Sequence, residues 1–233
     1  MKLSKSIYLA MLPLIALVTA CASSVSSPTR TNSNPWTEQE VTFTFGQDEL
    51  YGILTLPTSE GPYPAIVLVS GSVNPSTGIR DGVSSQYHID HARQMVRSGF
   101  AVLRYDPPGV GQSGGVTGIE SLDSRTDEVV AALHFLQSRT DILPDRVGLW
   151  SNSQGAWVIA MAAAGFPQDV AFIISVSGSG VSVAEQQVFS IQAQSEAAGM
   201  PEEDITKAVL FIRLLIDWQL LNPIYREANQ AEA

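Results

Sequence analysis

Polar and apolar positions divide the chain into short alternating runs and longer runs of helical period. Val41-Thr42-Phe43-Thr44-Phe45 alternates, and Leu50 to Leu56 follows after Gly46-Gln47-Asp48-Glu49, which predicts a hairpin of two strands. Ala65-Ile66-Val67-Leu68-Val69 is apolar without a break, the pattern of a strand covered on both faces, and a long polar loop opens after it at Ser70-Gly71-Ser72. Tyr87 to Arg97 reads as a helix closed by Ser98-Gly99, and Ala101-Val102-Leu103-Arg104 as the next strand. Ser124 to Arg139 puts Val129, Leu133 and Leu136 on one face, and Ser124 with Asp127 has capping-box spacing. A strand around Val147, a small-residue helix beginning near Ala156 and a strand from Val170 to Val176 follow. Strands alternating with helices predict an α/β fold with a largely parallel sheet.

The pattern changes after Gly180. Residues 182–233 read as a helical lid, with Pro201-Glu202-Glu203-Asp204 suited to a helix start: proline in the first turn, acids at the positive end of the dipole. Ala208 to Trp218 is apolar nearly all round, interrupted mainly by Arg213. Such a helix is expected to be buried between core and lid, to wall an acyl-binding pocket, or both at once.

The N-terminus alters the picture of where this domain works. Lys2 and Lys5 precede an apolar run from Ile7 to Ala20 that is too short to span a bilayer, as in a signal peptide over residues 1–20. Val18-Thr19-Ala20-Cys21 resembles a bacterial lipoprotein signal, which implies that Cys21 is lipidated and becomes the new N-terminus. An ordinary secretory signal with an incidental Cys21 is the alternative. Cys21 is the sole cysteine, so no intrachain disulfide is possible. Residues 21–37, rich in Ser, Thr, Asn and Pro, then form a flexible tether to a lipid in the membrane. The expected location is the bacterial cell envelope, periplasmic or outer face. Losing Lys2 and Lys5 with the signal takes the net charge from −10 to −12, and an acidic domain without a basic cluster is a poor partner for nucleic acid.

The chemistry concentrates in Arg146-Val147-Gly148-Leu149-Trp150-Ser151-Asn152-Ser153-Gln154-Gly155, which runs directly into the Ala156 helix. Strand, tight turn and helix without a gap is the setting that exposes a serine hydroxyl on a strained bend, and the small Ser151 and Gly155 let strand and helix approach. Ser153 is the candidate nucleophile. Ser175-Val176-Ser177-Gly178-Ser179 has the same small-x-Ser-x-small form, but its helix begins only near Val183, so its turn need not be tight. Gly109-Val110-Gly111-Gln112-Ser113-Gly114 satisfies G-x-G-x-x-G and follows a strand, yet a long loop separates it from the next helix cap. That spacing spoils a nucleotide site, so no nucleotide and no cofactor are expected, and a glycine-rich loop beside the active site is the better account. His88 and His91, three apart with Asp90 between them, read as a solvated helix face rather than a metal pair, and His134 as structural.

Four segments together resemble the α/β-hydrolase superfamily, in particular its bacterial serine esterase and peptidase-like group: Leu68 to Ser72, Val102 to Ser113, Gly148 to Trp157, and Ala171 to Gly180. Ser151 departs from the usual first glycine of the elbow, Asn152 from the common histidine, and Pro107-Pro108 from a typical Asp-Arg or Asn-Arg pair. The resemblance implies attack by Ser153 on an acyl carbonyl of a small substrate. It also implies an oxyanion hole formed by the backbone N–H groups of Gln154 and Ser72, and an Asp106 that ties down its own loop. It divides the chain into a partial hydrolase core over 38–181 and the helical lid over 182–233.

In that family an acid and then a histidine follow the serine on later strands. No histidine follows Ser153, and no later acid sits at the end of an apolar strand. The expectation is therefore a sheet lacking its C-terminal strands, with Ala171-Phe172-Ile173-Ile174 left as an apolar edge. Little or no turnover is expected from residues 1–233 alone. A non-catalytic, lipid-anchored binding protein of the same fold and an enzyme completed by another chain are the other accounts.

Overall fold

The computed structural model describes residues 34–73, 80–118 and 121–221. The expected signal peptide, Cys21 and the tether as far as Ser33 lie outside the described residues, as does the expected lid from residue 222 onward. The end of the tether is corrected: Trp36 already pairs with Pro57, so Trp36 and Thr37 belong to the first strand.

Strands β1 (Trp36–Phe45) and β2 (Asp48–Pro57) form the expected hairpin, turning at Gly46 with φ +58°. After them come β3 (Tyr63–Val69), α1 (Gln86–Arg97), β4 (Ala101–Tyr105), α2 (Leu122–Gln137), β5 (Ile142–Asn152), α3 (Gly155–Gly165), β6 (Ile173–Val176), α4 (Val183–Ala197) and α5 (Glu202–Leu221). One mixed sheet runs β1-β2-β4-β3-β5-β6. The β1–β2 and β2–β4 pairs are antiparallel, whereas β4, β3, β5 and β6 run parallel to one another. The architecture is the α/β sheet that the alternation of elements predicts.

The period of two along β3 distributes its side chains to two cores. Ala65, Val67 and Val69 join Val129, Leu133 and Leu136 of α2 and Val158 and Ile159 of α3, while Ile66 and Leu68 join Ala92 and Val96 of α1 and Trp150 of β5. Both faces are covered, and for that reason the run reads as uninterrupted apolar sequence. Helix α2 begins earlier than expected. Its N-cap is Ser121, whose hydroxyl accepts from the Ser124 N–H at 3.0 Å while the Ser124 hydroxyl accepts from the Ser121 N–H at 3.1 Å. Ser124 is thus the reciprocal partner in the box, not the cap, and Asp127 takes no part in it. Strand β5 also starts early, at Ile142, which pairs with Tyr63 across a register shift.

Two regions lack cover. Ile173 and Ile174 of β6 are 42% and 39% exposed, in line with an apolar sheet edge. Helix α5 packs chiefly on α4, and Leu210, Phe211, Leu214 and Trp218 are each more than half exposed. The expected enclosure between core and lid is therefore not found among the described residues. No helix of those residues is long and apolar enough to cross a membrane.

Candidate active site

Strand β5 ends at Asn152, α3 begins at Gly155, and the two residues between them make the bend. Ser153 sits there with φ +51°, a conformation that few non-glycine residues adopt. Its N–H donates to the Val176 carbonyl at 3.1 Å and its own carbonyl accepts from the Ala156 N–H, so β6 and α3 both fix the turn. The small neighbours have a steric reason. A Cβ added at Gly155 would stand 1.8 Å from Ser151 Oγ and 2.7 Å from the Ser70 carbonyl. Ser151 is fully buried, and its hydroxyl donates to the Val69 carbonyl at 2.9 Å, joining the ends of β5 and β3.

Ser72, Ser153 and Gln154 line one cleft of about 420 Å³, together with Trp157, Ser177, Ser179 and Phe189. The residues named as nucleophile and oxyanion donors thus come from two separate loops to one place. The β3 loop lies directly against the end of β5: a Cβ on Gly71 would be 3.3 Å from the Asn152 carbonyl. Ser177 shares the cleft and has φ +52°, but α4 starts only at Val183, so it is not held between a strand and a helix as Ser153 is. No His, Asp or Glu is among the described residues that line the cleft. No group of three or more His, Cys, Asp or Glu among the described residues could hold a metal ion.

The histidines lie elsewhere, and one corrects the reading of a solvated face. His88 is 3% exposed on α1, with its ring edge-on to Trp150 at 6.2 Å. Burial lowers its pKa to about 4, helped by the Arg104 and His91 charges and opposed by Asp81. His91 stacks obliquely on Tyr87 and Trp150, and its Nδ1 lies 2.8 Å from the Tyr87 carbonyl. His134 is more than half exposed and lies 3.4 Å from Asp169.

Asp106 holds two loops rather than one. One carboxylate oxygen accepts from the Gln112 N–H at 3.0 Å, and the other accepts from the Val83 N–H at 2.8 Å. Gly111, at φ +55°, passes so close that a Cβ would overlap this carboxylate. The Gly109–Gly114 loop closes on itself through the Gly109 N–H to the Gly114 carbonyl and docks on Glu49 through the Gly114 N–H. None of its residues is among the described lining of the cleft. It does not open α2, which begins at Leu122.

Sequence reading missed the side chains that join these loops. Arg125, 4% exposed in the first turns of α2, donates to the carbonyls of Ser70 at 2.6 Å and Gly71 at 2.9 Å and to Gln154 Oε1 at 2.8 Å. One turn on, Glu128 accepts a two-pronged pair from Arg80 at 2.7 and 3.1 Å and a bond from the Tyr105 hydroxyl at 2.7 Å. Burial, and then the Glu128 charge, push the Tyr105 hydroxyl well above its usual range. The available signal was an arginine near the positive end of a helix dipole, where a cation is unfavourable without tertiary partners.

A family model for X-Pro dipeptidyl-peptidases (S15 family) matches residues 46–225. Among solved structures, a hypothetical protein from Pseudomonas aeruginosa is 22% identical with a TM-score of 0.54, over 72% of this chain and 56% of its own. An α/β hydrolase from Penicillium sp. sh18 is 23% identical at 0.51, over 70% and 54%. A Pyrococcus furiosus esterase is 16% identical at 0.54, over 76% and 62%. The chain spans a little over half the length of the first two, and these likenesses establish the α/β-hydrolase fold. Comparison with curated protein sequences returned no match. The family match takes in the β3 loop, the Ser153 bend and helices α2 to α5, and on that extent the chain belongs to the X-Pro dipeptidyl-peptidase (S15) family.

Proposed function

We propose that this chain bears the nucleophile of a serine hydrolase that cleaves an acyl bond, ester or peptide-like, through an acyl-Ser153 intermediate. The observation that carries this reading is the left-handed seat of Ser153 between β5 and α3, at a cleft that Ser72 and Gln154 also line. Ser153 Oγ attacks the carbonyl carbon and loses its proton to a base, the carbonyl oxygen becomes an oxyanion, and the leaving group departs with a proton. Backbone N–H groups of Gln154 and Ser72 receive the oxyanion; one such donor is typically worth about 3–4 kcal/mol. Water then releases the acid and regenerates Ser153. The base and its orienting acid must come from outside the described cleft lining, which holds neither histidine nor carboxylate. Lipidation of Cys21 anchors the domain to a membrane of the bacterial cell envelope; fatty-acid labelling lost in Cys21→Ser tests that part.

The deciding experiment treats the natural gene product with a labelled fluorophosphonate and maps the adduct by mass spectrometry. A single adduct on Ser153, abolished by Ser153→Ala and retained in Ser177→Ala, is the expected result. An unmodified Ser153 returns the chain to the class of non-catalytic binding proteins.

A further inference from the structure

We infer that Arg125 is the positioning residue of the oxyanion site: its guanidinium ties the loop after β3 and the Ser153 bend into one rigid unit. Its role in catalysis rests on the acyl-serine reading above; its role as a lock rests on the geometry alone. The two oxyanion donors are backbone N–H groups on segments about 80 residues apart in sequence, Ser72 and Gln154. A hydrogen-bond donor contributes at the transition state only if it already points at the developing charge. Something must therefore hold the two segments in mutual register.

Sheet pairing ends short of both donors. The β3–β5 register stops at Val69 with Ser151, so neither Ser72 nor Gln154 is placed by ladder bonds. Arg125 bridges the gap. One terminal nitrogen donates to the Ser70 and Gly71 carbonyls on one loop, and the other donates to Gln154 Oε1 on the other. The planar fork of arginine suits this task, since two nitrogens at fixed separation address two segments at once, which a lysine ammonium on a flexible stem does not reproduce.

Arg80, eight residues beyond Ser72 in sequence, is anchored to the same helix. Its guanidinium is buried in a two-pronged pair with Glu128, and Arg125 and Glu128 lie three apart on one face of α2. Helix α2 thus holds the chain at Ser70 and Gly71 and again at Arg80.

Amide hydrogen exchange on the full chain tests the lock without any need for activity. Compared with wild type, Arg125→Lys is expected to accelerate exchange about tenfold or more in peptides covering residues 70–73 and 153–156, both together, with β4 unchanged. Leu133→Ala, two turns along the same helix and destabilising through the core, controls for general loosening and leaves the 70–73 peptide at its wild-type rate relative to β4. Protection unchanged at either segment in Arg125→Lys, or lost equally in Leu133→Ala, overturns the lock. The natural gene product supplies the catalytic readout: fluorophosphonate inactivation of Arg125→Lys is expected to keep its KI and lose on the order of 10- to 100-fold in kinact. A wild-type protein that takes up no phosphonate removes the acyl-serine reading and leaves the exchange result to decide the lock. Labelling in wild type with an equal kinact in Arg125→Lys removes the positioning role and leaves Ser153 as the nucleophile.

Discussion

At the scale of single residues, the bend around Ser153 is set by how little room its neighbours leave. Gly155 faces Ser151 Oγ and the Ser70 carbonyl at distances no Cβ tolerates, so size decides this position. Gly155→Ala is expected to destabilise the protein by about 1–3 kcal/mol through overpacking. Urea denaturation measures it, and an unchanged midpoint would show that the bend has slack the geometry denies. This much was readable from the chain, because small residues on either side of a serine between a strand and a helix are a local signal. Arg125 was not readable in the same way. Its acceptors lie 55, 54 and 29 residues away in sequence, and no local pattern announces them.

At the scale of elements, α1 shows how the sheet overrides helical periodicity. The His88-x-x-His91 spacing suggested a wet face, yet the sheet places His88 under the helix beside Trp150 and keeps it neutral down to about pH 4. An unfolded histidine takes a proton near pH 6.5 and the folded one only near 4, so between these values the unfolded chain binds more protons. Stability from this group is complete above pH 6.5 and declines as pH falls toward 4, by up to about 3 kcal/mol. Denaturant unfolding followed over this window should give a shallower pH dependence in His88→Phe than in wild type. Equal slopes would mean that carboxylates and other groups, and not His88, carry the acid sensitivity. Helix α2 makes the complementary case: its apolar face was legible at Val129, Leu133 and Leu136, all fully buried, while its polar grip on the β3 loop was invisible.

At the scale of the whole molecule, the described surface is divided unevenly. The β3–β4–β5 centre of the sheet is covered on both faces, whereas β6 and the α4–α5 pair expose Ile173, Ile174, Phe211 and Trp218. Apolar edges and patches of this kind promote association. Residues 1–233 are expected to sediment as concentration-dependent oligomers, and Ile174→Lys should shift them toward monomer by weakening association about tenfold or more. A monodisperse monomer at all concentrations would show that this edge is protected. The exposure also departs from one expectation: a nearly all-apolar α5 reads as buried between core and lid, but among the described residues it packs chiefly on α4 and leaves an apolar face open.

Sequence by itself determined the elements, their α/β order, the two-faced burial of β3 and the strained seat of Ser153, because each depends on neighbours within a few residues. Tertiary structure alone decided that Ser72 and Gln154 share a cleft with Ser153, that Arg125 spans their two loops, that His88 is buried and that the glycine-rich loop docks on Glu49. Those facts arise where segments tens of residues apart are brought into contact, and the period of a helix or strand carries no information about which partner its polar side chains will meet.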